Sequence, residues 1–205
     1  MQTRKNQNNS ERSDTEKGGK KMEYQYENCK KKGKRCMFGA LSVLLLLLFD
    51  QITKYSAQSL LAGKKSVSVI PGVFQLFYLE NRGAAFGMFA NRQAFFILVA
   101  AVMTAVAVFV YLRLPQEKHY YLLRCVCVLI AAGAVGNMLD RILHGYVIDF
   151  LYVSLIDFPV FNVADCYVCI GAALGVVAIF TLYKEDDFKF LNPFGQNNRS
   201  NGKPD

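Results

Sequence analysis

Four apolar stretches, at residues 36–55, 93–112, 121–139 and 163–183, constrain this chain more than anything else in it. Each comes close to the ~20 residues that a ~30 Å hydrocarbon core demands of a helix. One or two such runs fit the buried helices of a soluble domain. Four of them with short links, in 205 residues, leave too little polar chain to clothe a soluble fold. The class implied is a mainly α membrane protein with four transmembrane helices.

Charge placement gives the expected orientation. The formal net charge is +8, and eighteen of the twenty-four Lys and Arg precede the first stretch, join the second to the third, or follow the fourth. Lys54, Lys64, Lys65, Arg82, Arg92 and Arg141 lie on the other side. Positive charge accumulates on the cytoplasmic side, so both termini are expected there and the two longer loops outside. A nucleic-acid partner is not expected, because the basic tails lack interleaved aromatics and any recognition module. Residues 1–36, rich in Lys, Asn, Gln and Glu, predict a disordered basic cytoplasmic arm or a surface-binding segment. That arm is too long for a cleavable leader, and no small-residue cleavage site follows Leu44–Leu48. Residues 37–183 form the predicted four-helix domain, and 184–205 a cytoplasmic tail.

The six cysteines (29, 36, 125, 127, 166 and 169) do not fit a secreted disulfide framework. Cys166 and Cys169 have redox or metal-pair spacing, but no second Cys or His pair completes a zinc site. They read as small apolar packing residues, and no metal or cofactor is expected.

The outward loops depart from a plain helical bundle. Ser66–Ile70 alternates polar and apolar, Pro71-Gly72 breaks the chain, and Val73–Leu79 is β-branched and aromatic. This predicts two short strands around a turn. Gly145–Val153 has strand composition, and Pro159 limits the extended run beyond it. A small half-buried sheet on the outer membrane surface follows, a platform suited to a substrate embedded in lipid.

Acidic and polar side chains in or beside spans are the informative ones, since a charge at a helix centre costs ~2.5 to 3.5 kcal/mol on insertion scales. Asp50 and Lys54, at i,i+4 near the outer end of the first span, share a face and fit an ion pair, structural or catalytic. Asn137, Asp140 and Arg141 follow Gly133 and Gly136 at the outer end of the third span. The glycines allow close helix approach, and an Asp beside an Arg suits an ionised scaffold carboxylate. Asp149 lies in Val147-Ile-Asp-Phe150 with no cation near it in sequence, whereas Asp165 opens the fourth span, three residues after Asn162. Held close, two such carboxyls share a proton, one accepting from water while its partner polarises a carbonyl. Spacing alone leaves open an ion-coupled carrier, which also keeps acids in its spans. Asn81 begins Asn81-Arg-Gly-Ala-Ala-Phe-Gly87, offering a donor and an acceptor to an extended peptide, or simply a helix-entry turn.

Four blocks, taken in order, resemble the lipoprotein signal peptidase (signal peptidase II) family. They are Asp50-Gln-Ile-Thr-Lys54; Asn81-Arg-Gly-Ala-Ala-Phe-Gly87; Gly136-Asn-Met-Leu-Asp-Arg141 leading into Gly145-Tyr-Val-Ile-Asp-Phe150; and Phe161-Asn-Val-Ala-Asp165. The resemblance, over residues 37–183, implies a bacterial inner-membrane aspartic endopeptidase with four helices and a small extracytoplasmic β-cradle. Such enzymes cut prolipoproteins before the cysteine that carries a diacylglyceryl group, need no cofactor, and are targets of the cyclic peptide globomycin. By the same resemblance Asp149 and Asp165 are the catalytic aspartates. Asn81 and Arg141 help to hold substrate, with Asn137, Asp140, Asn162, Asp50 and Lys54 in support. Cys166 stands where a serine is common in the family. Asp157 matches no motif position and reads as solvated, and His119 and His144 read as surface residues. The rivals are a small ion-coupled transporter, which lacks visible inverted repeats here, and a non-catalytic scaffold.

Overall fold

The structure is a computed structural model that describes residues 2–83 and 92–191. The order of elements is α1 (Gln2–Leu61), β1 (Val67–Ile70), β2 (Phe74–Asn81), α2 (Gln93–Arg113), α3 (Tyr121–His144), β3 (Val147–Val153) and α4 (Val163–Thr181), with short 3-10 turns at Lys118–Tyr120, Ser154–Ile156 and Glu185–Leu191. Among the described residues four helical segments are long and apolar enough to cross a bilayer: Met22–Leu61, Gln93–Arg113, Lys118–His144 and Val163–Thr181. The four-span architecture read from the sequence therefore holds, with each of the two sheet-bearing connections placed between spans as expected.

The chain divides into two compact units, Met1–Ala40 and Leu41–Asp205, the boundary falling within α1. Residues 2–36, expected as a disordered arm, are helical. Lys, Glu and Gln are good helix formers, and a segment continuous with a membrane helix propagates it without a fresh nucleation step.

Within the second unit α3 packs on both α2 and α4. A Cβ on Gly136 would lie 2.7 Å from Asp50 Oδ2 and 3.3 Å from the Ala164 Cβ, so only glycine leaves room for α1 and α4 to meet α3 there. One apolar cluster, including Leu114, Tyr120, Leu123, Ala178 and Tyr183, closes the end where α2 passes into α3. At the opposite end Ala57 and Leu61 of α1 pack with Phe150 against Leu76, Tyr78 and Val163.

The sheet is antiparallel in the order β1-β2-β3. Its burial is graded rather than alternating: β1 is exposed throughout, β2 is mixed, and Val147–Phe150 of β3 are all buried. The expected half-buried platform is corrected in this respect. The first half of β3 is covered on both faces, because α3 turns directly into it through Gly145, whose φ of 76° is the left-handed conformation glycine adopts freely at a helix end. The chain after β3 then folds back. Leu151 and Phe161 form an isolated antiparallel bridge, with N–H···O distances of 2.8 and 3.0 Å. That bridge sets Asn162, the next residue, beside Asp149.

Candidate active site

Asn162 is the N-cap of α4, and its extended backbone leaves its side chain free to close the helix start. Its Oδ1 accepts from the Asp165 backbone N–H at 3.0 Å, while its own N–H donates to Asp165 Oδ2 at 3.1 Å, a reciprocal capping box. The Asn162 Nδ2 donates to Asp149 Oδ1 at 2.7 Å and to Asn137 Oδ1 at 3.1 Å. One asparagine, fully buried, thus holds a carboxyl from β3 and a carboxyl from α4.

The remaining carboxyl oxygens are equally engaged. Asn81, diagonal to Asp149 across the β2–β3 ladder, donates to Asp149 Oδ2 at 2.8 Å. Asn137 of α3 donates to Asp165 Oδ1 at 2.7 Å. Each of the four oxygens therefore accepts an N–H from a neutral group, and among the described residues neither aspartate joins an ion pair. Burial is the main force on Asp149 and the Asp165 charge the second; against the donors Asn81 and Asn162 and the more distant Lys54, they push its carboxyl up to about 7.

Beneath this pair lies a second one. Lys54 Nζ spends its three donors on Asp50 Oδ2 at 2.9 Å, Asp140 Oδ2 at 2.9 Å and Asn137 Oδ1 at 3.0 Å. All three charged groups are essentially inaccessible. Asp50 Oδ1 accepts from the Ala164 N–H at 2.9 Å, and Asp140 Oδ2 accepts from the Ile148 N–H at 3.3 Å. Each inner carboxylate so grips the backbone immediately before one outer aspartate.

The structure corrects several expectations. Asp140 pairs with Lys54, not with its neighbour Arg141, since successive helix residues point about 100° apart. Arg141 instead donates to the Asn137 carbonyl at 3.2 Å and the Gly83 carbonyl at 3.5 Å, and lies 4.8 Å from the Phe96 ring centroid. Asn81 ends a strand rather than entering a helix, and its amide is already used, its Oδ1 accepting from the Gly83 N–H at 3.0 Å. The rest of its block, Ala84–Gly87, lies outside the described residues. Cys166 is half-buried and Cys169 exposed, so this pair is not core packing; apolar side chains on a membrane helix need face only lipid. Asp157 is exposed as expected, yet it accepts from the Tyr152 hydroxyl at 2.6 Å. His144 is exposed; His119 lies at the far end of the bundle, 3.5 Å from Asp187 and with its carbonyl accepting from Tyr183.

Gln51 escaped the sequence reading. Its Nε2 donates to Asp50 Oδ2 at 3.1 Å and to Asp140 Oδ1 at 3.0 Å, adding a neutral donor to the two carboxylates that Lys54 already joins. Its place inside the Asp50–Lys54 block was the available signal. Among the described residues no three His, Cys, Asp or Glu side chains converge on a metal position.

Fold and site together define a polytopic membrane protein with a buried carboxyl from a strand and a half-buried one from a helix start, coupled through one asparagine. A model of the family described as signal peptidase (SPase) II matches residues 42–181. The lipoprotein signal peptidase of Symbiobacterium thermophilum is 43% identical over 140 residues, 67% of this chain and 91% of that protein. That of Streptococcus thermophilus is 35% identical over 147 residues, 72% of this chain and 93% of its own length. A solved bacterial membrane enzyme superposes with a TM-score of 0.62 at 29% identity, covering 72% of this chain and 92% of the other. This chain belongs to the signal peptidase II family and is a multi-pass bacterial membrane peptidase. The transporter alternative finds no support among these relatives.

Proposed function

We propose that Asp149 and Asp165 are the catalytic pair of an aspartic endopeptidase that removes the signal peptide from diacylglyceryl-modified prolipoproteins, cutting before the lipid-bearing cysteine. The observation that carries this reading is the pair itself: one buried and one half-buried carboxyl tied to one asparagine, with neutral donors on all four oxygens and, among the described residues, no ion pair. Neither member is locked in the charged form by a bound cation, so the two hold one proton between them and titrate as a unit. One carboxyl takes a proton from water as its oxygen attacks the scissile carbonyl. The other gives its proton to the developing oxyanion, and the leaving amine is protonated as the bond breaks.

Support for the peptide comes from Arg141, whose buried Nε has no hydrogen-bond partner among the described residues and is available to a substrate carbonyl. A groove of about 210 Å³ between α2, α3 and α4 leads to Asp165 past Val99, Ala100, Met103 and Ala134, room for an apolar side chain or two of a signal peptide. Asn81, Asn137 and Asn162 set the carboxyls; Asp50, Lys54 and Asp140 set the backbone that carries them. The charge asymmetry of the loops supports an orientation with both termini in the cytoplasm and the pair at the extracytoplasmic rim. Residues 37–183 are the peptidase domain, between a basic arm and a C-terminal tail, and a globomycin-type cyclic peptide is the expected inhibitor.

The test is direct. Purified protein should cleave a diacylglyceryl-modified precursor, spare its unmodified twin, and stop with globomycin. Asp149→Asn and Asp165→Asn should each abolish cleavage while inserting normally. Substantial turnover by either variant would make the assignment wrong.

A further inference from the structure

A second groove, of about 250 Å³, lies on the other side of the site, between the outer half of α1 and the underside of the sheet. Its walls are Ile52, Thr53, Ser56 and Leu60 of α1, with Leu76 of β2 and Phe150 of β3. It offers a ligand no hydroxyl donor. The Thr53 hydroxyl donates to the Asp50 carbonyl at 2.7 Å and that of Ser56 to the Ile52 carbonyl at 2.8 Å, both within their own helix. No charged side chain lines it. Phe150, its inner wall, directly follows Asp149 in β3, so the groove begins one residue from the carboxyl pair. Ile52 and Leu60 are exposed at the outer end of the helix that carries the first span, so its open side lies toward the membrane boundary.

The site is therefore flanked by two channels of different chemistry. The groove at Asp165 is lined by helices and has Arg141 and Asn137 at its head, as a peptide requires. The groove at Phe150 is apolar along its length, as a hydrocarbon chain requires. In the proposed reaction the scissile bond likewise has two unlike flanks: a signal helix on one and a cysteine bearing two acyl chains on the other. We propose that the α1–sheet groove receives an acyl chain of the diacylglyceryl-modified cysteine, fixing which side of the carboxyl pair the lipid occupies. This rests on the peptidase reading above. The chain leaves the bilayer edge, crosses Phe150 and draws the adjoining peptide bond to Asp149 and Asp165. Burial of its methylenes there orders the bond without any polar contact.

Two precursors identical in sequence, carrying dipalmitoyl and dihexanoyl glyceryl groups, separate the possibilities with the full chain in nanodiscs. Wild type should prefer the long-chain precursor in kcat/KM. Ser56→Trp, at an exposed position on the groove wall, should lower kcat/KM for the long-chain precursor about tenfold, the equivalent of roughly two methylenes left unburied. It should leave the short-chain precursor unchanged, and Ser56→Ala, which removes only the hydroxyl, should behave as wild type on both. A diazirine in the precursor's acyl chain should label residues 52–60. Equal losses on both precursors, or no loss on either, would overturn the subsite while leaving the peptidase intact. So would labelling of those residues by a diazirine phospholipid that the precursor fails to displace, because the groove would then hold bilayer lipid. Failure of wild type to cleave either precursor would overturn the peptidase reading, and the subsite with it.

Discussion

The molecule encloses two pairs of aspartates in one hydrogen-bonded network and treats them in opposite ways. Asp50 and Asp140 share Lys54, which touches both at 2.9 Å, with Gln51 closing the remaining side. Asp149 and Asp165 share Asn162, and among the described residues their carboxyl oxygens accept hydrogen bonds only from side-chain amides and backbone. A cation between two carboxylates favours their charged forms; neutral donors around two carboxyls leave the second charge unfavourable. The inner pair is thus built as a brace, clamped on Lys54 and on the Ala164 and Ile148 N–H groups, and the outer pair is arranged to share a proton. The same residue type becomes a brace or a proposed catalyst according to what stands between its two copies.

The comparison is broken most severely at the outer pair. Asp165→Asn keeps the shape of the site but removes the ionisable group, and kcat should fall by about 10² to 10⁴-fold or more, read by gel-shift of a lipid-modified precursor. Unaltered kcat would move the chemistry elsewhere. Next comes the inner pair. Lys54→Met leaves two buried carboxylates uncompensated, which costs about 3 to 5 kcal/mol when one partner of a buried pair is lost. A drop in thermal midpoint of the detergent-solubilised protein should accompany a loss of activity. Activity lost at full stability would instead place Lys54 among the chemical groups.

Much of this was legible in the sequence because membrane insertion punishes stray polarity. Asp50, Lys54, Asn137, Asp140, Asp149, Asn162 and Asp165 stood out against apolar neighbours, and the structure brings all seven into one hydrogen-bonded network. Partners were less legible than members. Adjacency suggested Asp140 with Arg141, whereas helical geometry turns them apart and sends Asp140 to a lysine 86 positions earlier. Gln51 had only its place in the Asp50–Lys54 block to mark it, since its role exists only once α1 and α3 touch. The graded burial of the sheet was hidden as well. Val147-Ile-Asp-Phe150 is buried on both faces by elements distant in sequence, which no alternation could announce.

The contrast sharpens through pH. Asp149, pushed up to about 7, carries its proton at acid pH and loses it as the pH rises through that value. If one shared proton is needed, kcat/KM should decline on the alkaline side near neutrality. The Asn81 hydrogen bond favours the charged form, so Asn81→Ala should raise the Asp149 pKa and carry the alkaline limb to higher pH. A limb that moved down would contradict the neutral-donor account of this pair.

Asp157 supplies the control, an aspartate that belongs to neither pair. It is exposed, its φ is 51°, and its side chain accepts from the Tyr152 hydroxyl at 2.6 Å. Asparagine tolerates the left-handed region as readily as aspartate, and its side-chain oxygen accepts the same hydroxyl. Asp157→Asn should therefore change stability by no more than about 0.5 kcal/mol, as surface substitutions usually do, and leave kcat/KM on the lipid-modified precursor unchanged. The comparison needs this outcome, because it attributes the effects at the other four aspartates to their enclosure in the network and to what lies between them. A large loss on neutralising an exposed carboxyl would show that charge in the outer loops, rather than pairing in the interior, governs the enzyme.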